Sequence, residues 1–167
     1  MRLVDPILAE LEHEAATTRR VLERVPGDKL GWKPHAKSMS LGQLTLHIAQ
    51  MPGNIAGFVS GPVFEVPAGA FAQKEATSTG EIMSTLEASL TRAKDILRGL
   101  DDAAMMSTWS LKAGGKTLMS MPRIGVVRAI MLNHWYHHRG QLSVYLRELD
   151  VLVPSIYGPS ADENPFA

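Results

Sequence analysis

Asn133-His134-Trp135-Tyr136-His137-His138-Arg139-Gly140-Gln141 places three of the chain's six histidines within five residues. Residues in a helix follow one another at about 100° around the axis, so His134 and His138 project from one face, as two ligands of a single ion must. The surrounding pattern is helical. With His134 at zero, Ile124, Val127, Met131, Leu142, Tyr145 and Leu149 fall between about 20° and 80°, a sector centred near 50°. His138, near 40°, and His134 join that core-facing stripe, whereas His137, near −60°, lies at its flank and outside. The spacing predicts a long last helix from Pro122, in its first turn, to about Leu149.

A second helix supplies another histidine. Ser40 with Gln43 three residues on is a capping box, and Leu44, His47, Ile48, Met51, Ile55 and Phe58 form the apolar stripe that follows. Pro52 removes a backbone donor and its ring crowds the Ile48 carbonyl; because the apolar phase continues beyond it, a kink is expected in preference to a break. His47 thus faces the core on one helix, and His134 and His138 on another. Core imidazoles are costly unless both nitrogens are satisfied. A divalent cation would satisfy three at once, taking a lone pair from each and leaving each an N–H for a neighbour. The expected metal ligands are His47, His134 and His138. The competing reading is three hydrogen-bonded core histidines.

Composition narrows the function classes. The 167 residues suit a single domain, 1–167, with a core that needs no staples. Lysine plus arginine balances aspartate plus glutamate at 17 each, so no global field draws in nucleic acid or acidic lipid. Cysteine is absent, which excludes disulfides, thiolate metal sites and a cysteine nucleophile; any thiol chemistry must use a thiol brought by the substrate. No secretory leader and no membrane-length apolar run is evident, so the expectation is a cytoplasmic chain with neither nucleic-acid nor membrane partners.

The rest of the chain reads mainly as helix. Ile7, Leu8, Leu11, Ala15, Thr18, Leu22 and Val25 define a first helix over roughly Leu3 to Val25, ended by Pro26-Gly27, with His13 turned to solvent. Val63 to Thr77 reads as a long loop of the kind that covers sites. Ser78 with Glu81 forms a second capping box ahead of Ile82, Leu86, Leu90, Ala93, Leu97 and Leu100, with Gly99 as the breaker. Thr108–Lys112 and Lys116–Ser120 around Ala113-Gly114-Gly115 have the period and turn of a β-hairpin. Four long amphipathic helices with one hairpin between the third and fourth imply an all-α four-helix bundle.

Several chemistries are excluded by spacing. A di-iron bundle needs paired Glu-x-x-His motifs, and only Glu10 to His13 fits, since Leu44 and Met131 stand three before His47 and His134. Trp135 stands where a His-Glu-x-x-His protease keeps its base. Gly114-Gly115 lacks the spacing of a phosphate loop.

The His134-x3-His138 stretch, preceded by His47 in Leu44-Thr45-Leu46-His47-Ile48-Ala49, resembles the DinB-like family of metal-dependent proteins. The resemblance covers nearly the whole chain. It extends from Trp32-Lys33-Pro34 and Ser40-Leu41-Gly42-Gln43-Leu44 to the tail Tyr157-Gly158-Pro159-Ser160-Ala161-Asp162-Glu163. It implies up-down-down-up connectivity, a homodimer, and a divalent ion held by His47, His134 and His138, with His137 in the motif but not a ligand. Met39 departs from the pattern, which often has tryptophan before the serine cap. Members of this family include thiol-dependent S-transferases that use low-molecular-weight thiols, and relatives of maleylpyruvate isomerases.

Two functions follow as expectations. In the first, a metal-dependent enzyme of the thiol S-transferase or hydrolase type acts on a small electrophilic substrate, since three neutral imidazoles leave the ion an open position. Gln141 and Tyr145 are candidates to touch the ligands or the substrate, and Tyr157 and Ser160 of the tail to close over the pocket. In the second, a non-catalytic, stress-induced protein binds metal for stability. Imidazole suits several metals; zinc or nickel is expected first, iron or manganese next.

Overall fold

The computed structural model describes residues 1–67, 69 and 72–166. The described chain is mostly helical, with one small sheet. Helix α1 spans Val4–Leu22, α2 Leu41–Val59, α3 Thr79–Arg98 and the short α4 Asp102–Met106. Strand β1 is Val63–Glu65, β2 Thr108–Ala113 and β3 Lys116–Pro122. The last helical segment comprises α5 (Arg123–Val126), π-helical turns over Val127–Asn133 and α6 (His134–Glu148). Its backbone stays right-handed helical at Val126, Val127, Asn133 and His134, so the three pieces run on as one rod.

Helix α2 is the hub, buried on most of its surface. The capping box holds its start, with Gln43 N–H donating to Ser40 Oγ and Ser40 N–H to Gln43 Oε1. The helix continues through Pro52, which cannot donate to the Ile48 carbonyl. Two neighbours repair the ladder. The indole Nε1 of Trp135 donates to the Ile48 carbonyl at 2.9 Å. Ser89 Oγ of α3 accepts from Gly53 N–H at 2.8 Å and donates to the Gln50 carbonyl at 3.1 Å. A Cβ on Gly53 would meet the Ser89 backbone at 2.8 Å, so glycine is what lets α2 and α3 approach here. The Pro52 defect is therefore where α2 is fastened to both neighbouring helices.

Four expectations need correction. Val63–Glu65 is not loop: it pairs parallel to β2, in register Val63↔Ser110, Phe64↔Leu111 and Glu65↔Lys112, converting the hairpin into a three-stranded sheet. A lone hairpin is marginal, and a β-rich Val-Phe segment beside its free edge completes it. The hairpin itself forms, turning through Gly114 and Gly115 at φ +55° and +75°, which a side chain would resist. Ser78 caps α3 through Glu81 N–H, but the Glu81 carboxylate turns to Thr77 N–H and Oγ1, so the reciprocal half of the box is absent. Pro122 ends β3 and precedes α5 instead of sitting inside its first turn.

The remaining correction concerns helix phase. The buried residues of α6 are Trp135, His138, Arg139, Leu142 and Leu146, at about 40° to 140° on the scale above, centred near 95° and not 50°. The π turns explain the offset. Each carries an extra residue per loop, so residues before Asn133 advance by fewer degrees than an α-helix assumes, and Val127 and Met131 in fact continue the Trp135 line. His138 and His134 consequently lie at the border of the core stripe, not at its centre. His138 is buried, His134 half-buried and His137 exposed.

Candidate metal centre

His47 stands on the half-buried side of α2, one turn before Met51. The Trp135–Ile48 hydrogen bond holds α6 against α2 at the residue next to His47 and the residue next to His134. One ring nitrogen from each of His47, His134 and His138 can be chosen so that all three lie within 4.8 Å of one another. The rings of His134 and His138 are 4.4 Å apart between centroids, and that of His47 lies 4.6 Å from His138 and 5.7 Å from His134. Thus the chain brings together the three histidines expected from helix phase and leaves His137 out of the group.

The donor chemistry fits a divalent cation. Gln141 Oε1 accepts from His138 Nδ1 at 2.7 Å. That leaves Nε2 of His138 with its lone pair, pointed at Nε2 of His134 at 2.7 Å. Two imidazole nitrogens sharing one ion in a tetrahedral site stand roughly 3.3 Å apart, so the pair must open by about 0.6 Å to hold it. All three imidazoles are held neutral, the form that ligates. Burial lowers the pKa of His138 to about 4, with the Gln141 hydrogen bond acting in the opposite sense and the neighbouring histidines adding to the fall. Burial likewise lowers His47 and His134, assisted by His134 and His137 respectively.

The remaining sequence candidates separate. Gln141 contacts a histidine, as expected. Tyr145 donates to the Met39 carbonyl at 3.2 Å and meets the Trp32 ring edge-on, which fastens α6 to the loop before α2. Tyr157 donates to Glu14 at 2.9 Å and accepts from Arg139. Ser160 donates to the Val153 carbonyl. The tail is fastened to α1 through Arg20–Glu163 and to α6 through Arg147–Asp162, and none of its described residues lines the cavity by the histidines.

That cavity, of about 540 Å³, opens beside His47 and His134. Its walls are α2, the last helical rod, the inner face of the sheet and the loop residues Ala72, Gln73 and Lys74. The end of the expected loop does therefore lie over the site. Ala68, Ala70 and Phe71, which belong to the same expectation, fall outside the described residues.

Two features escaped the sequence reading. Trp135 is fully buried and its role depends on a defect in another helix. Arg139 is 1% exposed and pairs with Glu14, itself 6% exposed, at 2.5 Å. Its other nitrogen donates to the Glu14 carbonyl and Thr18 Oγ1, and its guanidinium lies near the rings of Tyr136 and Tyr157. A signal was present: Glu14 sits in the Leu11, Ala15, Thr18, Leu22 stripe of α1, where an unpaired carboxylate would be expensive.

A mostly helical chain with a triad of neutral histidines at a cleft defines a class of proteins able to hold a divalent ion. Comparison supplies the family: residues 2–164 match the model of the DinB family. The chain belongs to that family. It is 23% identical over 168 residues to the uncharacterized protein YrdA of Bacillus subtilis, covering 96% of this chain and 91% of that protein. A DinB-like protein from Bacillus cereus shares the fold with a TM-score of 0.69 at 22% identity, over 90% of this chain and 95% of its own. The mycothiol-dependent maleylpyruvate isomerase gives a TM-score of 0.52 at 14% identity, with 90% of this chain matched to 62% of that enzyme. No described helix is long and apolar enough to cross a membrane.

Proposed function

We propose that the protein is a metal-dependent enzyme of the thiol S-transferase or hydrolase type, with His47, His134 and His138 as the ligands of one divalent ion. The observation that carries this reading is the convergence of three neutral imidazoles within 4.8 Å at the edge of a cavity and not in a sealed core. A bound ion with three neutral ligands would keep its charge and an open position, and could lower the pKa of a substrate thiol or of water. In this reading Gln141 orients His138 and fixes its tautomer, and the neutral set adds no charge that would offset the ion's. The thiol is a small molecule, since the chain has no cysteine of its own. The likeness to a mycothiol-dependent isomerase supports that class of co-substrate. The same proposal takes the four long helical segments as an up-down-down-up four-helix bundle forming one domain, assembled as a homodimer.

A second reading is a non-catalytic protein in which the ion stabilises the fold. It is favoured by the absence of any Asp or Glu from the ligand group among the described residues, which leaves no carboxylate in it for proton transfer. Elemental analysis of the purified protein, followed by thermal unfolding with a series of low-molecular-weight thiols, separates the readings. The enzyme reading expects stoichiometric metal and a melting shift with one thiol that His134→Ala abolishes. Metal without any thiol response favours the stabilising role, and absence of stoichiometric metal overturns both.

A further inference from the structure

We propose that the cavity beside the histidines binds a small molecule with an aromatic or bulky aliphatic body and one anionic group. The proposal rests on the metal-centre reading only for the direction in which the bound molecule points. At about 540 Å³ the space lies within the range of sites that enclose small ligands. Its far wall is a row across the sheet, because Phe64, Leu111 and Met119 are register partners on three successive strands and all line the cavity. Trp109, two residues before Leu111 on the same face, extends that wall, with its Nε1 turned away to the Phe58 carbonyl at 2.8 Å. Phe58 stacks on Phe64 with centroids 3.9 Å apart. From the helical rod, Val126 and Ile130 complete an apolar enclosure.

The opposite side is polar and ordered. His47, Gln50 and Asn54 follow one another down one face of α2 at helical spacing, and all three line the cavity. Among the described residues the lining contains no carboxylate, and its one charged side chain is Lys74 at the loop edge. A divalent ion on the histidines would add further positive charge. The sign of the field therefore selects an anion over a cation of the same shape, and the apolar wall selects a ligand that gains by leaving water. Such a molecule lays its body on the Phe64–Leu111–Met119 row and its anionic end along the His47–Asn54 side.

The test uses naphthoate, with naphthylmethanol as its neutral counterpart, titrated calorimetrically into the full chain with and without bound metal. Neighbouring residues of β3 provide the contrast, since Met119 faces the cavity and Leu118 is 61% exposed on the other face. Naphthoate is expected to bind one to one and more tightly than naphthylmethanol. Met119→Glu is expected to weaken it by about tenfold or more, whereas Leu118→Glu changes it by no more than about twofold. Lys74→Glu is expected to erase the preference for the anion. If Met119→Glu does not fold, methyl-labelled methionine NMR of the wild type replaces it: Met51 and Met119 shift on adding naphthoate and exposed Met106 does not. Equal effects at Leu118 and Met119, uniform methionine shifts, or no preference for the anion overturn the proposal. Naphthoate binding to a chain that takes up no metal would leave this inference standing while the metal reading fails.

Discussion

The indole Nε1 of Trp135 lies 2.9 Å from the carbonyl oxygen of Ile48, the acceptor that Pro52 deprives of its donor within α2. An imperfection in one helix thereby becomes the anchor for another, and the anchor sits between two of the proposed ligands: His47 precedes Ile48, and His134 precedes Trp135.

Replacing Trp135 with Phe should leave the buried Ile48 carbonyl unpaired and cost about 1–3 kcal/mol in urea unfolding, in addition to the packing lost with the larger, fully buried indole. Pro52→Ala restores a backbone donor to that carbonyl, so the double variant should lose less than the sum of the single changes. A double-mutant cycle with no coupling would refute the anchor.

Arg139 and Glu14 form an ion pair in the core. Glu14→Ala leaves the guanidinium buried without its counter-charge and should destabilise by about 3–5 kcal/mol. Tyr157→Phe removes two hydrogen bonds, one to each member of that pair, at about 1 kcal/mol apiece, and should loosen the tail, which limited proteolysis after Glu148 would register. Neither change should alter metal stoichiometry if the tail stands apart from the centre.

Gln141→Leu removes the acceptor that holds His138 Nδ1–H. Loss of such an orienting partner lowers metal affinity by about 10–100-fold, measurable by competition with a chromophoric chelator. His137→Ala, outside the triad, should bind as the wild type does.

Acid should destabilise the metal-free protein through His138. Its folded pKa is depressed to about 4 from the ordinary 6.5, so between those values the unfolded chain binds the proton that the folded one refuses. Stability is therefore unaffected by this group above about 6.5 and falls as pH drops towards 4. His47 and His134, depressed in the same direction, steepen the loss. Urea midpoints in chelator across that window should fall less for His138→Gln than for the wild type.

Gly53→Ala tests the contact between α2 and α3. The added methyl would meet Ser89 backbone atoms at 2.8–2.9 Å, which no rotamer change relieves, and overpacking of this kind costs about 1–3 kcal/mol. Gly140→Ala, whose Cβ would meet nothing within 4 Å, should by contrast be neutral or stabilising, since alanine favours helix.

Local features were legible because local chemistry dictates them. Ser40 and Gln43 close a box within one turn, Gly114 and Gly115 accept the φ values a tight hairpin needs, and one helical turn puts His134 and His138 on one side whatever the surroundings. Helix phase also separated His137 from that pair, and it placed His13 in solvent. Where phase was carried through Val127–Asn133 it misplaced the core centre, because a change from α to π winding leaves no mark that residue spacing reveals.

By itself, then, the sequence determined which long segments are helical, though not the short α4, which pair of histidines shares a face, and that His47 is turned inward on a separate helix. Only the tertiary structure decided that His47 meets the pair, that Val63–Glu65 completes a sheet over the cavity, and that Tyr157 serves Arg139 and not the histidines. The physical reason is range. Caps, turns and helix faces are settled within a few residues of chain, whereas the Trp135–Ile48 bond, the Arg139–Glu14 pair and the Phe64–Leu111–Met119 row each join residues far apart in sequence. Their partners are selected only when the helices pack.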